Sequence, residues 1–221
     1  MTFDSTIISM ILVGIKETLL MVFISSALSY IIGIPLGVIL VVTDKNGIKP
    51  NAAVNSVLGI IINLLRSVPF MILLIMVLPV TRAIVGTTLG WKAVIPPLVF
   101  SAAPYIARMV ESSLKEIDAG VIEAAQSMGA SNWEIVTKVY LPESLPSLII
   151  GAAISVTTIL GYSAMAGFVG GGGLGTIAIN YGYYRYQTDV MLVTVAILVL
   201  IVQLIQEAGT RIARRCDKRI R

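Results

Sequence analysis

The chain has 221 residues, of which 57% are hydrophobic and only 13% charged, and its mean hydropathy is +0.92. A soluble domain carries roughly 25% charged residues, so the composition selects lipid as the main solvent. There is no histidine and one cysteine, Cys216. That excludes HExxH zinc sites, Ser-His-Asp triads and an internal disulfide.

The net charge of +4 does not point to nucleic acid, because of where it sits. Six basic residues, Arg211, Arg214, Arg215, Lys218, Arg219 and Arg221, crowd the last eleven positions behind an apolar stretch. That is the topogenic signal of a cytoplasmic end. The start, MTFDSTIISM, lacks a basic n-region and a small-residue cleavage site, so it reads as mature protein and not as a signal peptide. Residues 1–16 are expected to form an outer segment, residues 17–207 the membrane domain, and residues 208–221 a basic cytoplasmic tail.

In chain order, a charge-free stretch from Thr18 to Thr43 makes the first span. Gly33, Pro35 and Gly37 in its second half allow a kink or a close helix contact. The turn DKNGIKPN ends it. A second span runs over 54–80 and holds one charge, Arg66, within RSVPF. Arg66 reads as a structural membrane charge, snorkelling to the cytoplasmic interface and bonding carbonyls of a neighbouring helix. A third span covers 92–108 and contains Pro96, Pro97 and Pro104.

Residues 108–143 form the one long polar loop. Asp118 can cap a short helix that Gly129 ends, and Ser131-x-x-Glu134 reads as a capping box. The fourth span covers 144–162. The Gly- and Tyr-rich stretch after it is expected to be an irregular outer segment. A fifth span covers 190–206. The fold class is therefore all-α integral membrane with five transmembrane helices.

Counting Lys and Arg on each side sets the orientation. With the N-terminus outside, the cytoplasmic side holds eleven basic residues and the outer side four, Lys16, Arg82, Lys92 and Arg185. The count expects an outer N-terminus, a cytoplasmic C-terminus and a cytoplasmic loop at 108–143.

That loop carries EAAQSMGASNWEIVTKVYLP, from Glu123 to Pro142. The string resembles the EAA loop of ABC importer permeases: Glu-Ala-Ala, three residues, Gly, nine residues, Ile, one residue, Leu-Pro. Glu123, Ala124, Ala125, Gly129, Leu141 and Pro142 stand at the family's spacing, and Val139 takes the place of Ile. RSVPF, SAAPYIARMVE, GYSAMAG and GGGGLG follow the order of the methionine-importer permeases in that superfamily.

The resemblance implies the type I ABC importer permease fold in a bacterial cytoplasmic membrane. It implies a short helix, opened by Asp118, that docks in a cleft of a separate ATPase and carries its movement. It also implies two ATPase copies, a second copy of this chain, and a substrate-binding protein at the outer face. ATP and Mg would be bound by the ATPase partner, and the substrate would be methionine, L- and possibly D-. A permease for another amino acid or small solute in the same superfamily is the alternative.

Gly170, Gly172 and Gly175 also satisfy GxGxxG, but no strand–helix unit surrounds them and no lysine follows as in a P-loop. Met165, with Tyr162 and Ser163, stands at the outer end of the fourth span. A flexible thioether could plug a narrow pathway at a symmetry axis, and in the resembling family the equivalent stretch lines the closed translocation path. Plain helix packing is the competing reading. An ion-coupled carrier would need acidic relays inside spans, and none lies in the expected spans. An intramembrane enzyme would need a nucleophile–base pair, which is equally missing.

Overall fold

The computed structural model describes residues 5–216, and these form helices and short connections with no strand. Helix α1 spans Ser5–Val42. Helices α2, Ala52–Ser67, and α3, Phe70–Val85, follow an inner turn. Helix α4 is Trp91–Lys115 and α5 is Ala119–Ser127. Short helices α6, Asn132–Glu134, and α7, Leu141–Glu143, flank a π-helical turn, Ile135–Tyr140. They lead into α8, Leu145–Met165, then α9, Gly173–Ile177, and α10, Thr188–Cys216.

The contacts fix the direction of each helix. At one end of α1, Glu17 lies beside Gly172, which also abuts the Trp91 amide. Further along, Gly33 packs on Ile106, and Gly37 on the Ala107 carbonyl and Val110. Just past its other end, Asp44 pairs with Lys115. These contacts climb α1 and α4 in the same sense, so the two helices are parallel. The α2–α3 pair must therefore carry the chain back across.

Ser147 bonds Ser113 near the start of α8, while Ala164 at its far end packs on Gly175. So α8 runs against α4. Gly182 packs on Met191, and Gly209 on Ala153, so α10 runs against α8. The described residues run the length of the bundle five times, with α2 and α3 counted as one bent pass, and Ser5 and Cys216 stand at opposite ends.

The structure differs from the sequence reading at five points. First, α1 begins at Ser5 and not at Thr18. Its 38 residues run about 57 Å, well beyond a hydrocarbon core of about 30 Å, so most of the expected outer segment is the same helix. Second, the crossing expected over 54–80 is broken, with α2 and α3 meeting at 108°. Val68 is extended (ψ 124°) because Pro69 follows, and Pro69 has no N–H to donate. Third, α4 continues past Arg108 to Lys115, which places Glu111 inside it. Fourth, the outer stretch expected to be irregular is helical: a 3₁₀ turn over Ala166–Val169, then α9, then a π turn over Ala178–Tyr183. Fifth, α10 continues through the expected start of the tail to Cys216. Lys218, Arg219 and Arg221 lie outside the described residues.

One buried cluster runs the length of the molecule, from Met21, Leu98 and Ile159 to Leu114, Ala125, Ile135 and Tyr140. Inside the hydrocarbon core these side chains gain from close van der Waals packing and not from leaving water, because lipid tails are as apolar as they are. Many large apolar residues remain outside, among them Leu12, Ile31, Leu200 and Leu204, as a lipid solvent permits.

Candidate functional site

The loop between α4 and α8 folds into a small lobe. The Asp118 carboxylate accepts from the Gly120 amide at 2.7 Å and opens α5. Gly129, at φ +81°, turns the chain out of the helix, and the Ala130 amide bonds the Ala125 carbonyl at 3.1 Å. Ser131 and Glu134 then cap each other. The Ser131 amide donates to Glu134 Oε2 at 3.0 Å, and the Glu134 amide donates to Ser131 Oγ at 3.3 Å. Lys138 Nζ lies 2.9 Å from the same carboxylate. Lys138, the Ser131 amide and the Ser131 hydroxyl together lower Glu134 to about 2. Both sequence-predicted punctuation marks are therefore built as expected.

The two alanines of the EAA string part company. Ala125 is buried and joins Ile135, Val136 and Tyr140 in the core. Ala124 is exposed, as are Glu123 and Val121. Met128 is 82% exposed and Trp133 74%, although neither faces a membrane span. The lobe thus turns one side to its own helices and offers the other to solvent. An apolar exposed side of this kind marks a protein contact. Leu141 is half-buried and opens α7, and Pro142 follows it in the same turn.

Behind the lobe runs a polar chain that the sequence reading missed. Lys115 Nζ bonds Asp44 Oδ2 at 2.5 Å and Glu111 Oε1 at 2.9 Å. Arg108 Nη1 bonds Glu111 Oε2 at 2.7 Å, and Nη2 donates to the Gly59 carbonyl and to Asn63 Oδ1 at 3.2 and 3.0 Å. Glu111 is only 8% exposed, a position a carboxylate tolerates because both its oxygens are paired. The chain ties the inner turn, α4 and α2 together. Its signal was legible as Arg108-x-x-Glu111-x-x-x-Lys115, two consecutive same-face spacings. The Lys115 ammonium also lowers the Asp44 carboxyl below its usual range. A cleft of about 410 Å³ lies between this turn and α5, lined by Asp44, Lys115, Ile122, Glu123 and Tyr140 among others.

Arg66 does not bond carbonyls of a neighbouring helix, contrary to expectation. It is exposed at the end of α2 and makes no hydrogen bond or ion pair with the described residues. Arg108 makes the carbonyl contact instead.

The three gate candidates are not brought together. Tyr162 stacks on Phe70, with ring centroids 4.5 Å apart and planes 6° from parallel. Ser163 is buried and donates to the Leu160 carbonyl at 2.7 Å. Met165 is 44% exposed. Of the three, only Met165 offers its side chain freely to a pathway outside this chain.

The glycine run at the outer end has its own explanation. Gly170, Gly172 and Gly173 all hold positive φ. The Gly173 amide donates to Glu17 Oε2 at 2.8 Å and the Leu174 amide to Thr18 Oγ1 at 2.9 Å. A carboxylate and a hydroxyl of the chain itself thus hold the amides that a phosphate loop would leave free.

Residues 33–221 match the family of binding-protein-dependent transport system inner membrane components. The probable D-methionine transport system permease protein MetI of Vibrio cholerae is 48% identical over 210 residues, 95% of this chain and 93% of that one. The methionine import system permease protein MetP of Bacillus subtilis is 45% identical over 181 residues, 82% of each. A solved inward-facing MetNI methionine ABC transporter matches with a TM-score of 0.96 at 47% identity, covering 98% of this chain and 100% of that chain. An amino acid ABC transporter at 17% identity shares the fold, with a TM-score of 0.79. With five apolar passes among the described residues, a capped lobe and this likeness along nearly its whole length, the chain belongs to the binding-protein-dependent transport system inner membrane components, the permease subunits of ABC importers.

Proposed function

We propose that the chain forms the translocation pathway of an ATP-driven importer of methionine, in both enantiomers, and takes its energy from a separate ATPase docked on the α5 lobe. The observation that carries this reading is the lobe itself. It is a capped, half-exposed helix bearing the EAA string, with Val121, Ala124, Met128 and Trp133 turned outward. The methionine assignment rests on the relatives and the solved transporter named above. Two copies of the chain would pair around the pathway, each engaging one ATPase, and an outer binding protein would deliver substrate. ATP and Mg are held by the ATPase.

The orientation that suits this reading puts the lobe and Cys216 in the cytoplasm and Ser5 outside. Closure of the ATPase pair then draws the two lobes together. The movement passes through Ala125, Ile135 and Tyr140 into the core, and through the Asp44–Lys115–Glu111–Arg108 chain into α1, α4 and α2. Met165, beside the Tyr162–Phe70 stack, serves as the outer gate, and Ser163 holds the backbone behind it.

Uptake of labelled L-methionine by the reconstituted complex, with unlabelled amino acids as competitors, tests the assignment. Unlabelled L- and D-methionine should suppress uptake. Suppression by another amino acid but not by methionine would replace the substrate and leave the permease standing.

A further inference from the structure

Helix α2, like α10, packs little of its surface against the rest of the bundle. Only Ile62 on it is buried, so it lies on the surface of the bundle. At 100° per residue, Ser56, Gly59, Asn63, Arg66 and Ser67 fall within an arc of roughly 100°. The other side carries Val57, Ile61 and Leu64, each between 48% and 63% exposed. The Arg108 guanidinium reaches the same arc through Gly59 and Asn63. A surface membrane helix with one apolar and one polar side faces two solvents. The apolar side suits lipid, whereas polar groups at this depth face water or a protein interior.

Arg66 is the free charge on that arc. It lies about 20 Å along α2 from Ala52, well within a hydrocarbon core of about 30 Å. The break at Val68–Pro69 follows at once, and Phe70 then stacks on Tyr162 near the outer end of α8. Arg66 therefore stands just inward of the aromatic closure. Glu111, the carboxylate that Arg108 brings to the arc, has both oxygens occupied by Arg108 and Lys115, so no described residue neutralises Arg66.

We infer that the polar arc of α2 lines the aqueous pathway and that Arg66 binds the carboxylate of the amino acid as it passes the closure. This rests on the proposed amino-acid import. An amino acid crosses as a zwitterion, and its carboxylate needs a partner once it leaves bulk water. A guanidinium offers two parallel donors to that group. Because Arg66 has no competing anion among the described residues, it can take up and release this partner without first breaking an ion pair there.

Two measurements on the complete complex in proteoliposomes test the inference. Arg66→Gln should lower labelled L-methionine uptake by about tenfold or more, the worth of a charged hydrogen bond, while Arg66→Lys recovers part of it. Uptake by Arg66→Gln at the wild-type rate would overturn the inference. Wild-type complex that moves other amino acids but not methionine would overturn the substrate assignment instead.

The second measurement does not depend on the substrate or on recovery of the Arg66 variants. With Cys216 replaced by Ser, Ser56→Cys and Ser67→Cys should react with a charged, membrane-impermeant methanethiosulfonate. Their rates should exceed those of Ile61→Cys and Leu64→Cys at least about tenfold, since thiolate forms in water and not in hydrocarbon. Equal rates, or faster reaction on the apolar side, would place the arc against lipid or protein and sink the inference.

Discussion

The outer and inner ends of this molecule are held together in different ways. At the outer end, backbone meets backbone. A Cβ on Gly175 would stand 2.6 Å from Ala164 Cα, and one on Gly167 would stand 2.5 Å from the Gly175 carbonyl carbon. Glu17 and Thr18 add hydrogen bonds directly to the amides that open α9. At the inner end, long side chains do the joining. Asp44, Lys115, Glu111 and Arg108 reach across helices, and the α5 lobe turns Trp133 and Met128 to solvent. Close backbone packing has few alternative arrangements, whereas side-chain ion pairs can lengthen and re-form. On the proposed function, the lobe end is the part that is gripped and moved, and the glycine-packed end is the part that stays together while it is pulled.

That contrast can be broken or sharpened. The largest effect is expected at the exposed side of the lobe. Trp133→Ala should leave thermal stability in detergent within about 0.5 kcal/mol of wild type, because the side chain buries little in this chain. ATP-driven uptake should nevertheless fall by tenfold or more, as for an interface anchor worth about 2 kcal/mol. Next comes the outer end: Gly175→Ala should destabilise by about 1–3 kcal/mol, since backbone at Ala164 cannot yield. Thermal unfolding of the purified chain would show it, and an unchanged midpoint would mean the packing is looser than described. Glu17→Ala removes the cap on the Gly173 amide and should cost about 1 kcal/mol.

The smallest effect concerns pH. Lys115 holds the Asp44 carboxyl low, so its contribution is present above the ordinary aspartate value of about 3.9 and is lost as pH falls through the lower folded value. Both partners are partly exposed, so Asp44→Asn should cost less than about 1 kcal/mol near pH 7. Wild type and variant should converge in acid. A gap that persists there would assign the loss to packing.

Much of the lobe was legible because its signals are local. Asp118, Gly129 and the Ser131–Glu134 box act on neighbours within four residues, and each appears in the fold where spacing places it. The number of crossings was legible from runs of apolar residues. What escaped depends on distant partners. Pro69 breaks a crossing while Pro35 and Pro104 sit inside continuous helices, and only tertiary contacts decide between those outcomes. Arg66 and Arg108 exchanged roles for the same reason: which arginine meets a neighbouring carbonyl depends on where α2 lies against α4. Glu17, bonded to an amide 156 positions away, gave no signal at all.

The central claim is that energy enters through the exposed side of the α5 lobe. Ala124 is the small residue on that side, next to the buried Ala125, and a bulky cation there would block a docking groove without touching the core. ATP-driven uptake of labelled L-methionine by the reconstituted Ala124→Arg complex is the most direct measurement. Loss of uptake by a chain that still inserts and unfolds like wild type is the predicted result, and uptake at the wild-type rate would contradict the account.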